Sequence, residues 1–557
     1  MKFHYQNMRH FLLFFAIFAA LCATAKPMTD ACVVHLDKAF YVTGEVMWYK
    51  IYLPAASREQ PFTIRVSLLR ADGREVDYFY LNTEGKTYAE GYYKIPFNFQ
   101  SGAYTLLFSA RESQRKRPVT LADVTVPIYN DLQPLPKNIM VSEAPSERFS
   151  DDEAADADEL RVNITLNKDT LQSREEVRVQ VAVTDQQGRP VRANLSASIT
   201  DWALAGTQTM RQPAVTAGYP MPAASLARDI YFSGEVTDSL NNSLQDHLLG
   251  AFAPEDWSLT YAAMGNGRDF ALQLPPFYGE RQIQFISYPA EDIDITLETA
   301  LTKKTEAQLP YTKGIIEYLT LSRQRKKIFQ LYTDLEFNLN PERIANSTEK
   351  PAPDRELVVA TYEAFEDVFT FLREISTPVA MKYIRKTDTY DALMYNPAKQ
   401  AFFPEEPLFV VDGKLTRDAD FVARLKMEPI DRIDLYFDFG KLFTNYQVMA
   451  SSGIISLESQ NLDLPVPDAD AEDIFNVNGL QYPAAFPVFK PENVNANQPF
   501  FRPQLYWNPV IETDANGRAD FTFHQSDDVS TFRIQVVAQD EQGNLGKGSR
   551  EYVVRWQ

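Results

Sequence analysis

Five histidines and two cysteines supply all the imidazole and thiol chemistry of this chain. His4, His10 and Cys22 lie in the first 25 residues, which read as a leader, so His35, His247, His524 and Cys32 remain. A zinc site or a Ser-His-Asp array needs a histidine on which partners converge. The three histidines fall in different stretches, and no spacing gathers partners around any of them. His524 reads as an ordinary strand residue. With one cysteine left, neither an intrachain disulfide nor a Cys-His nucleophile is expected. The glycines are scattered in turns, so no Gly-rich phosphate loop follows a strand. Carboxylates are so plentiful (75 Asp and Glu) that any pair of them is uninformative. The acidic run 150–159 lacks the glycine turn of a calcium loop and reads as a solvated tether. The expectation is therefore no catalytic residue, no cofactor, no metal ligand and no enzyme activity.

The elements around these residues begin with the leader. Lys2 and Arg9 flank the start of an apolar run at 11–21, and Ala23-Thr24-Ala25 places small residues before a cleavage point. A secretory signal peptide cut after Ala25 is expected. The run is about half of the ~20 residues a membrane span requires. Cys22 leaves a lipid anchor open as an alternative, although Leu21 is large for the position before a lipidated cysteine. Cleavage takes two positive charges, and no negative one, off a chain of formal charge −20. Nucleic acid and direct adhesion to anionic lipid are not expected of so acidic an exported chain. No later stretch has 18 consecutive apolar residues, so no transmembrane helix is expected.

Abundant Tyr (28) and Phe (37), with Pro (34) exceeding Gly (22), favour strands and stiff connections. The pattern predicts a mainly β, multidomain chain. Residues 26–130 alternate turn signals with short strands, including 46–53 and 104–109, and form a first β-sandwich. Residues 131–160 are a proline-stiffened acidic linker. A second sandwich starts at 161–205 and finds its missing strands in 501–557, because neither piece closes a sandwich alone. Between them come a β-module at 229–300, a helical connection at 301–350, an α+β domain at 351–460 and a Pro/Asp/Asn-rich linker at 461–500. The helical readings cover 311–336 and 353–376. In the second, Phe365, Val368, Phe369 and Leu372 make one apolar stripe. Arg323, Arg325, Lys326 and Lys327 read as a solvated helix face. Within 402–460 the order is strand 408–411, a Asp412-Gly413 turn, a short helix at 418–425, strand 431–437 and strand 454–457.

Several stretches resemble known families. LDKAFYVTGEVMWYKIYL and SGAYTLLFSA resemble the entry strands and closing strand of a macroglobulin domain, the module of α-2-macroglobulins and complement proteins. LSASITDWAL resembles the strand that precedes the protease bait region there. LYWNP, TDANGRADFTF and SDDVSTFRIQVVA resemble the segment that follows it. The resemblance implies macroglobulin-like β-sandwiches, the second interrupted where bait would sit. The GCGEQ-type thioester of that family is absent, which excludes covalent trapping. PLFVVDG, MEPIDRIDLY and SSGIISLES resemble the plug domain of TonB-dependent outer-membrane receptors, with Ser451-Ser452-Gly453 in place of the usual Tyr-Gly. DIYFSGEVTD and GNGRDFALQLPPFYGERQIQFISY resemble a carboxypeptidase-regulatory-like domain, a β-sandwich prefix of Bacteroidota outer-membrane proteins. Asp169-Thr170-Leu171 and Asp238-Ser239-Leu240 resemble the O-glycosylation signal of the same phylum.

Together these resemblances imply a Bacteroidota exported protein, periplasmic or outer-membrane-associated. Its expected role is a non-catalytic scaffold that binds an envelope or outer-membrane protein, the plug-like domain offering a docking sheet. Two alternatives stand beside it: a proteinase-binding macroglobulin-like protein, and an accessory to TonB-dependent transport. A receptor itself is not expected. A barrel of about 22 strands of ~10 residues needs several hundred residues, and fewer than a hundred follow Gln460.

Overall fold

The structure, a computed structural model, describes residues 32–55, 60–113, 118–135, 141–142, 159–205, 214–216, 226–298, 301–306, 309–331, 339–346, 350–490 and 497–555. The leader and the acidic run up to residue 158 lie outside the described residues. The protein is mainly β and multidomain, with 49% of residues in strands and 11% in helices. It divides into two compact units, one of residues 1–227, 300–343 and 483–557, the other of 228–299 and 344–482. The chain thus passes between them four times.

In the first unit, strands Cys32–Leu36, Val46–Tyr52 and Tyr88–Lys94, joined at the edge by Ala214–Thr216, make one antiparallel sheet. A second sheet has the order Tyr41–Val42, Pro118–Tyr129, Gly102–Arg111, Thr63–Leu69, Glu75–Asn82. The two face each other over one core in which Met47, Tyr49 and Ile51 meet Ile64, Leu106, Phe108 and Val126. Strand Val46–Tyr52 is buried at every residue. Its other face is also covered: Val46 and Trp48 pack with Tyr92, Phe486 and Trp507. A strand dry on both faces must read as a continuous apolar run, as VMWYKIY nearly does.

Residues 160–201 and 504–555 contribute to a single eight-stranded sheet. Its path runs Gln504–Glu512, Ala193–Asp201, Thr531–Asp540, Leu545–Arg555, Leu160–Leu166, Glu176–Asp185, Arg518–His524, and Thr170–Gln172 adds to Leu545–Arg555. The first and last strands of that path are neighbours in sequence, so the sheet rolls back on itself. Tyr506 on one and Phe521 on the other stack at 4.9 Å. Strand Glu176–Asp185 shows the period of two: Val177, Val179, Val181 and Val183 are buried, while Glu176, Arg178 and Gln180 are exposed. Helix Lys313–Leu331 lays Ile315, Tyr318 and Leu319 on Phe40, Val42 and Tyr129.

In the second unit a seven-stranded antiparallel sheet runs Ile293–Leu297, Ile230–Asp238, Asp269–Leu274, Ser258–Gly265, Leu248–Ala253, Glu280–Tyr288, Ile474–Asn478. A five-stranded mixed sheet runs Arg355–Val358, Ile430–Tyr436, Ile454–Ser459, Leu408–Val411, Lys414–Thr416. Phe409, Val411, Ile433, Leu435, Ile455 and Leu457 fill a core beneath helices Val368–Ile375 and Ala419–Ala423 and the hairpin Val379–Ile384/Thr389–Asn396. On the opposite face, Leu408, Val410, Tyr436 and Ile454 pack on Phe252, Trp257, Leu442 and Tyr446.

Four expectations need correction. The sheet of 402–460 offers no free face for docking, because side chains cover both. The stretch 353–376 is α-helical only at Val368–Ile375, where the Asp367 carboxylate accepts from the Thr370 N–H at 2.8 Å, with a single 3-10 turn at Val359–Thr361. Arg355–Val358 is instead a strand, its β-branched end pairing with Ile430–Tyr436. The expected linker 461–500 contains helix Asp468–Glu472 and strand Ile474–Asn478, whose apolar Val477 closes a sheet edge. Finally, two of the four cations on helix Lys313–Leu331, Arg325 and Lys326, are drawn out of solvent by buried or half-buried acidic partners.

Candidate functional site

The second unit holds a cleft of about 340 Å³, lined by residues of three separate stretches: 285–293, 408–417 and 470–473. Gln284, next to the lining residue Phe285, ties two of these stretches together. Its side-chain amide accepts from the Leu415 N–H (2.6 Å) and donates to the carbonyls of Leu415 (2.8 Å) and Asp470 (3.1 Å). One buried side chain thus caps the edge strand Lys414–Thr416 and fixes the turn that carries Asp470. Strand Ile474–Asn478 then pairs with Glu280–Tyr288 in antiparallel register, Phe475 opposite Ile283. The Phe475 ring meets Phe285 edge-on at 5.6 Å.

The wall is acidic. Glu291, Asp292, Asp470 and Asp473 line it, and Arg417 is the cation among the lining residues. Burial is the main reason that the Asp473 carboxyl is pushed up to about 8. The negative fields of Asp470, Asp294, Asp292 and Glu472 act in the same direction. Asp470 is also raised, first by burial, then opposed by its bond from the Thr416 hydroxyl. Arg417 opposes the rise at Asp470 only weakly: burial pulls its own pKa down, and its guanidinium donates to the Met449 carbonyl at 3.1 Å. At neutral pH this wall therefore keeps a proton that an exposed aspartate would lose.

The residues singled out by type in the sequence go elsewhere. His35 is fully buried at the seam between the first sandwich and the eight-stranded sheet. Its Nδ1 lies 2.6 Å from Ser196 Oγ, and Tyr52 OH lies 2.7 Å from the same oxygen. A His-Ser pair at this distance is nucleophile geometry, but neither residue reaches solvent. Burial, with Lys50 and Lys547 nearby, lowers His35 to about 3, so the imidazole is neutral. Lys50, fully buried beside it, donates to Asn194 Oδ1 and to the carbonyls of Pro509 (2.5 Å) and Leu195 (3.4 Å). It also sits 4.3 Å from the ring centres of both Tyr52 and Tyr88. These groups bond the two sandwiches to each other. Cys32 is buried and its thiol is pushed up to about 12, which removes thiolate chemistry at neutral pH. His247 and His524 are half-buried and not near each other in any paired element. Thr170 and Ser239, the hydroxyls of the glycosylation-like triplets, are both exposed.

The helix cations form a second constellation that sequence reading misassigned. Arg325, nearly buried, pairs with Asp528 at 2.6 Å. Lys326 reaches Asp131 Oδ1 (2.5 Å) and the Thr43 carbonyl (2.7 Å). Arg323 donates to the carbonyls of Asp131 and Gln133. Arg323 and Lys327 both keep the exposed position expected of all four, Arg323 while donating to those carbonyls. The missed signal was the fully buried Asp131 at the start of the presumed linker. Among the described residues no cluster of three or more metal-ligating side chains is found.

No family model matches the chain, and no curated protein matches it in sequence. Solved structures similar to it include the trypsin-activated alpha-2-macroglobulin of Escherichia coli, at 9% identity and a TM-score of 0.23, covering 95% of this chain and 42% of that one. The Salmonella alpha-2-macroglobulin reacted with methylamine gives 9% identity and 0.24, covering 95% and 40%. The native E. coli form gives the same identity, score and coverage as the Salmonella protein. The chain therefore spans about two-fifths of the length of these structures.

Proposed function

We propose that this chain is a non-catalytic cell-envelope scaffold. It is exported with cleavage after Ala25 and binds an envelope or outer-membrane protein through its macroglobulin-like and plug-like domains. The observation that carries the reading is architectural. One eight-stranded sheet is assembled from 160–201 and 504–555, and most of the chain between its halves, 228–299 with 344–482, folds a second compact unit with its own cores. Such a layout joins a separately folded module to a frame through several chain crossings, which suits presentation to a partner. The use of His35, Ser196 and Lys50 as a dry seam supports a structural role for the residues best suited to chemistry. The test is chemical cross-linking in cells followed by affinity capture from detergent-solubilised envelopes. One barrel or envelope protein enriched over a chain truncated after residue 499 is expected. Enrichment of none overturns the proposal.

A proteinase-binding role is the second reading. One observation favours it: strand Ala193–Asp201 ends where the long insertion begins. Incubation with a panel of proteases should then give cleavage confined to 206–225 together with inhibition of the protease. Uncut chain and full protease activity would remove this reading.

A further inference from the structure

The period of two along Val46–Tyr52 decides what the first sandwich turns toward the eight-stranded sheet. Met47, Tyr49 and Ile51 enter the first core, so Val46, Trp48, Lys50 and Tyr52 point the other way. Lys50 is the one cation in that row, and it is fully buried. Its Nζ contacts Asn194 Oδ1 on strand Ala193–Asp201 and lies 3.4 Å from the Leu195 carbonyl and 2.5 Å from that of Pro509. Asn194 is half-buried, and the rings of Tyr52 and Tyr88 flank the amine. Carboxylates stand beside both groups. Glu90 is directly opposite Lys50 on strand Tyr88–Lys94, and Glu512 is directly opposite Asn194 on strand Gln504–Glu512. A lysine amine touching a primary carboxamide, walled by aromatic rings and with carboxyl groups at hand, has the components of an amide exchange.

We propose that Lys50 and Asn194 join in an intramolecular isopeptide bond, formed by attack of the Lys50 amine on the Asn194 carboxamide with loss of ammonia and with Glu90 carrying the proton. Burial drives the Lys50 pKa well below that of an ordinary lysine, which favours the neutral, nucleophilic amine. A neutral amine has two N–H bonds. The Leu195 and Pro509 carbonyls can accept both, which turns the lone pair toward the third neighbour, the Asn194 carboxamide. That lone pair forms the Nζ–Cγ bond, and the carbonyl π pair moves onto Oδ1. The Glu90 carboxylate takes a proton from Nζ and delivers it to Nδ2. The C=O double bond then re-forms, the Cγ–Nδ2 bond breaks, and Nδ2 leaves as ammonia. One amine and one primary amide give one secondary amide and one ammonia, with no oxidant, water or cofactor consumed. Holding the two groups in contact supplies the effective concentration such a step requires. Until the bond closes, Lys50 holds the seam through hydrogen bonds alone. Once closed, it ties together residues 144 apart and fastens the first sandwich to the eight-stranded sheet. With Cys32 the one cysteine beyond residue 25, an intrachain disulfide cannot serve that purpose. The bond strengthens the frame whether or not a partner docks, so it and the scaffold reading can fail separately.

Mass spectrometry of the full chain tests the bond. The intact protein should be lighter than its polypeptide sequence by one ammonia, about 17 Da. After denaturation and trypsin, 39–58 should appear covalently joined to 193–211 and uncut at Lys50. Linear 39–50, 51–58 and 193–211 in full yield overturn the proposal. They do so even if the mass is reduced, because a succinimide at Asn194 also expels ammonia but leaves no cross-link. Asn194→Ala should give only the linear Lys50 peptides; a joined peptide that persists there overturns the assignment of the partner. Glu90→Gln changes an exposed side chain, and this chain should keep its full mass and its linear peptides. Complete cross-linking in Glu90→Gln overturns the role given to Glu90.

Discussion

Asp37 shows how one buried carboxyl can set a pH response. It accepts from the Tyr41 hydroxyl and from the Trp48 N–H (2.8 Å) through one oxygen, while its second oxygen has no hydrogen-bond partner and is free to carry a proton. Burial raises it to about 7, against the smaller opposing effect of Lys38. A carboxyl raised on folding stabilises fully below its unfolded value, ~4, and the contribution is lost as pH rises through 7, by at most about 1.4 kcal/mol per unit. Asp37→Asn keeps an acceptor and removes the titration. Wild type should therefore lose thermal stability relative to this variant between pH 5 and 8; parallel melting curves would contradict the assignment. Lys50 makes the opposite case, a buried amine with three acceptors whose pKa burial drives well below that of an ordinary lysine. Lys50→Met leaves Asn194 and the Pro509 carbonyl unpaired and should cost about 2–3 kcal/mol in urea unfolding. None of this was legible in the sequence. His35 and Lys50 stand in a single strand-turn-strand motif, yet their partners Ser196, Asn194 and Pro509 lie more than 140 residues away. Residue type gave the chemistry they could do; tertiary burial takes them out of reach of solvent.

Elements were legible where period and turn chemistry agree. The strands at 46–53, 104–109 and 408–411, and the Asp418-capped helix, match observed elements to within a few residues. Those misread were elements whose character comes from a neighbour. Arg355–Val358 and Ile474–Asn478 are short edge strands that exist because a longer strand pairs with them. The helix Lys313–Leu331 was found, but its cations were assigned to water because Asp131 and Asp528 could not be seen to converge on it. Removing Arg325 leaves the half-buried Asp528 without its cation, so Arg325→Ala should cost about 3 kcal/mol. The double variant with Asp528→Ala should recover part of that, with a coupling of about 1–3 kcal/mol in a double-mutant cycle. Additive losses would show that the pair does not act as a pair. The turn at Gly517 is a sharper constraint. It adopts φ +69°, and a Cβ there would overlap the Val183 carbonyl oxygen. Gly517→Ala should lower stability by about 2 kcal/mol or more.

At the scale of the whole molecule, sequence arithmetic pointed to an interrupted sandwich, since too few strands stood at either end. What it could not supply was the order of pairing. Ala193–Asp201 is flanked by Gln504–Glu512 on one side and Thr531–Asp540 on the other, and Glu176–Asp185 by Arg518–His524. Each early strand thus has a late strand as a neighbour, and no early group is self-sufficient. A chain ending at residue 499 keeps every residue of the second unit but loses four strands of the rolled sheet. The remaining pair Leu160–Leu166/Glu176–Asp185 would expose Val177, Val179 and Val181, and a lone two-stranded ribbon is marginal in water. The truncation also strips Val537 and Gln539 from the first sandwich, where Gln539 donates to the Leu53 carbonyl at 2.7 Å. Scanning calorimetry of the full chain should therefore show two transitions. The truncated chain should keep the one that belongs to 228–299 with 344–482, whose cores draw nothing from residues beyond 482. It should lose the other, and proteolysis should cut within 160–201. Survival of both transitions would mean that the early strands fold without the late ones, and the frame would no longer depend on closing around its insertion.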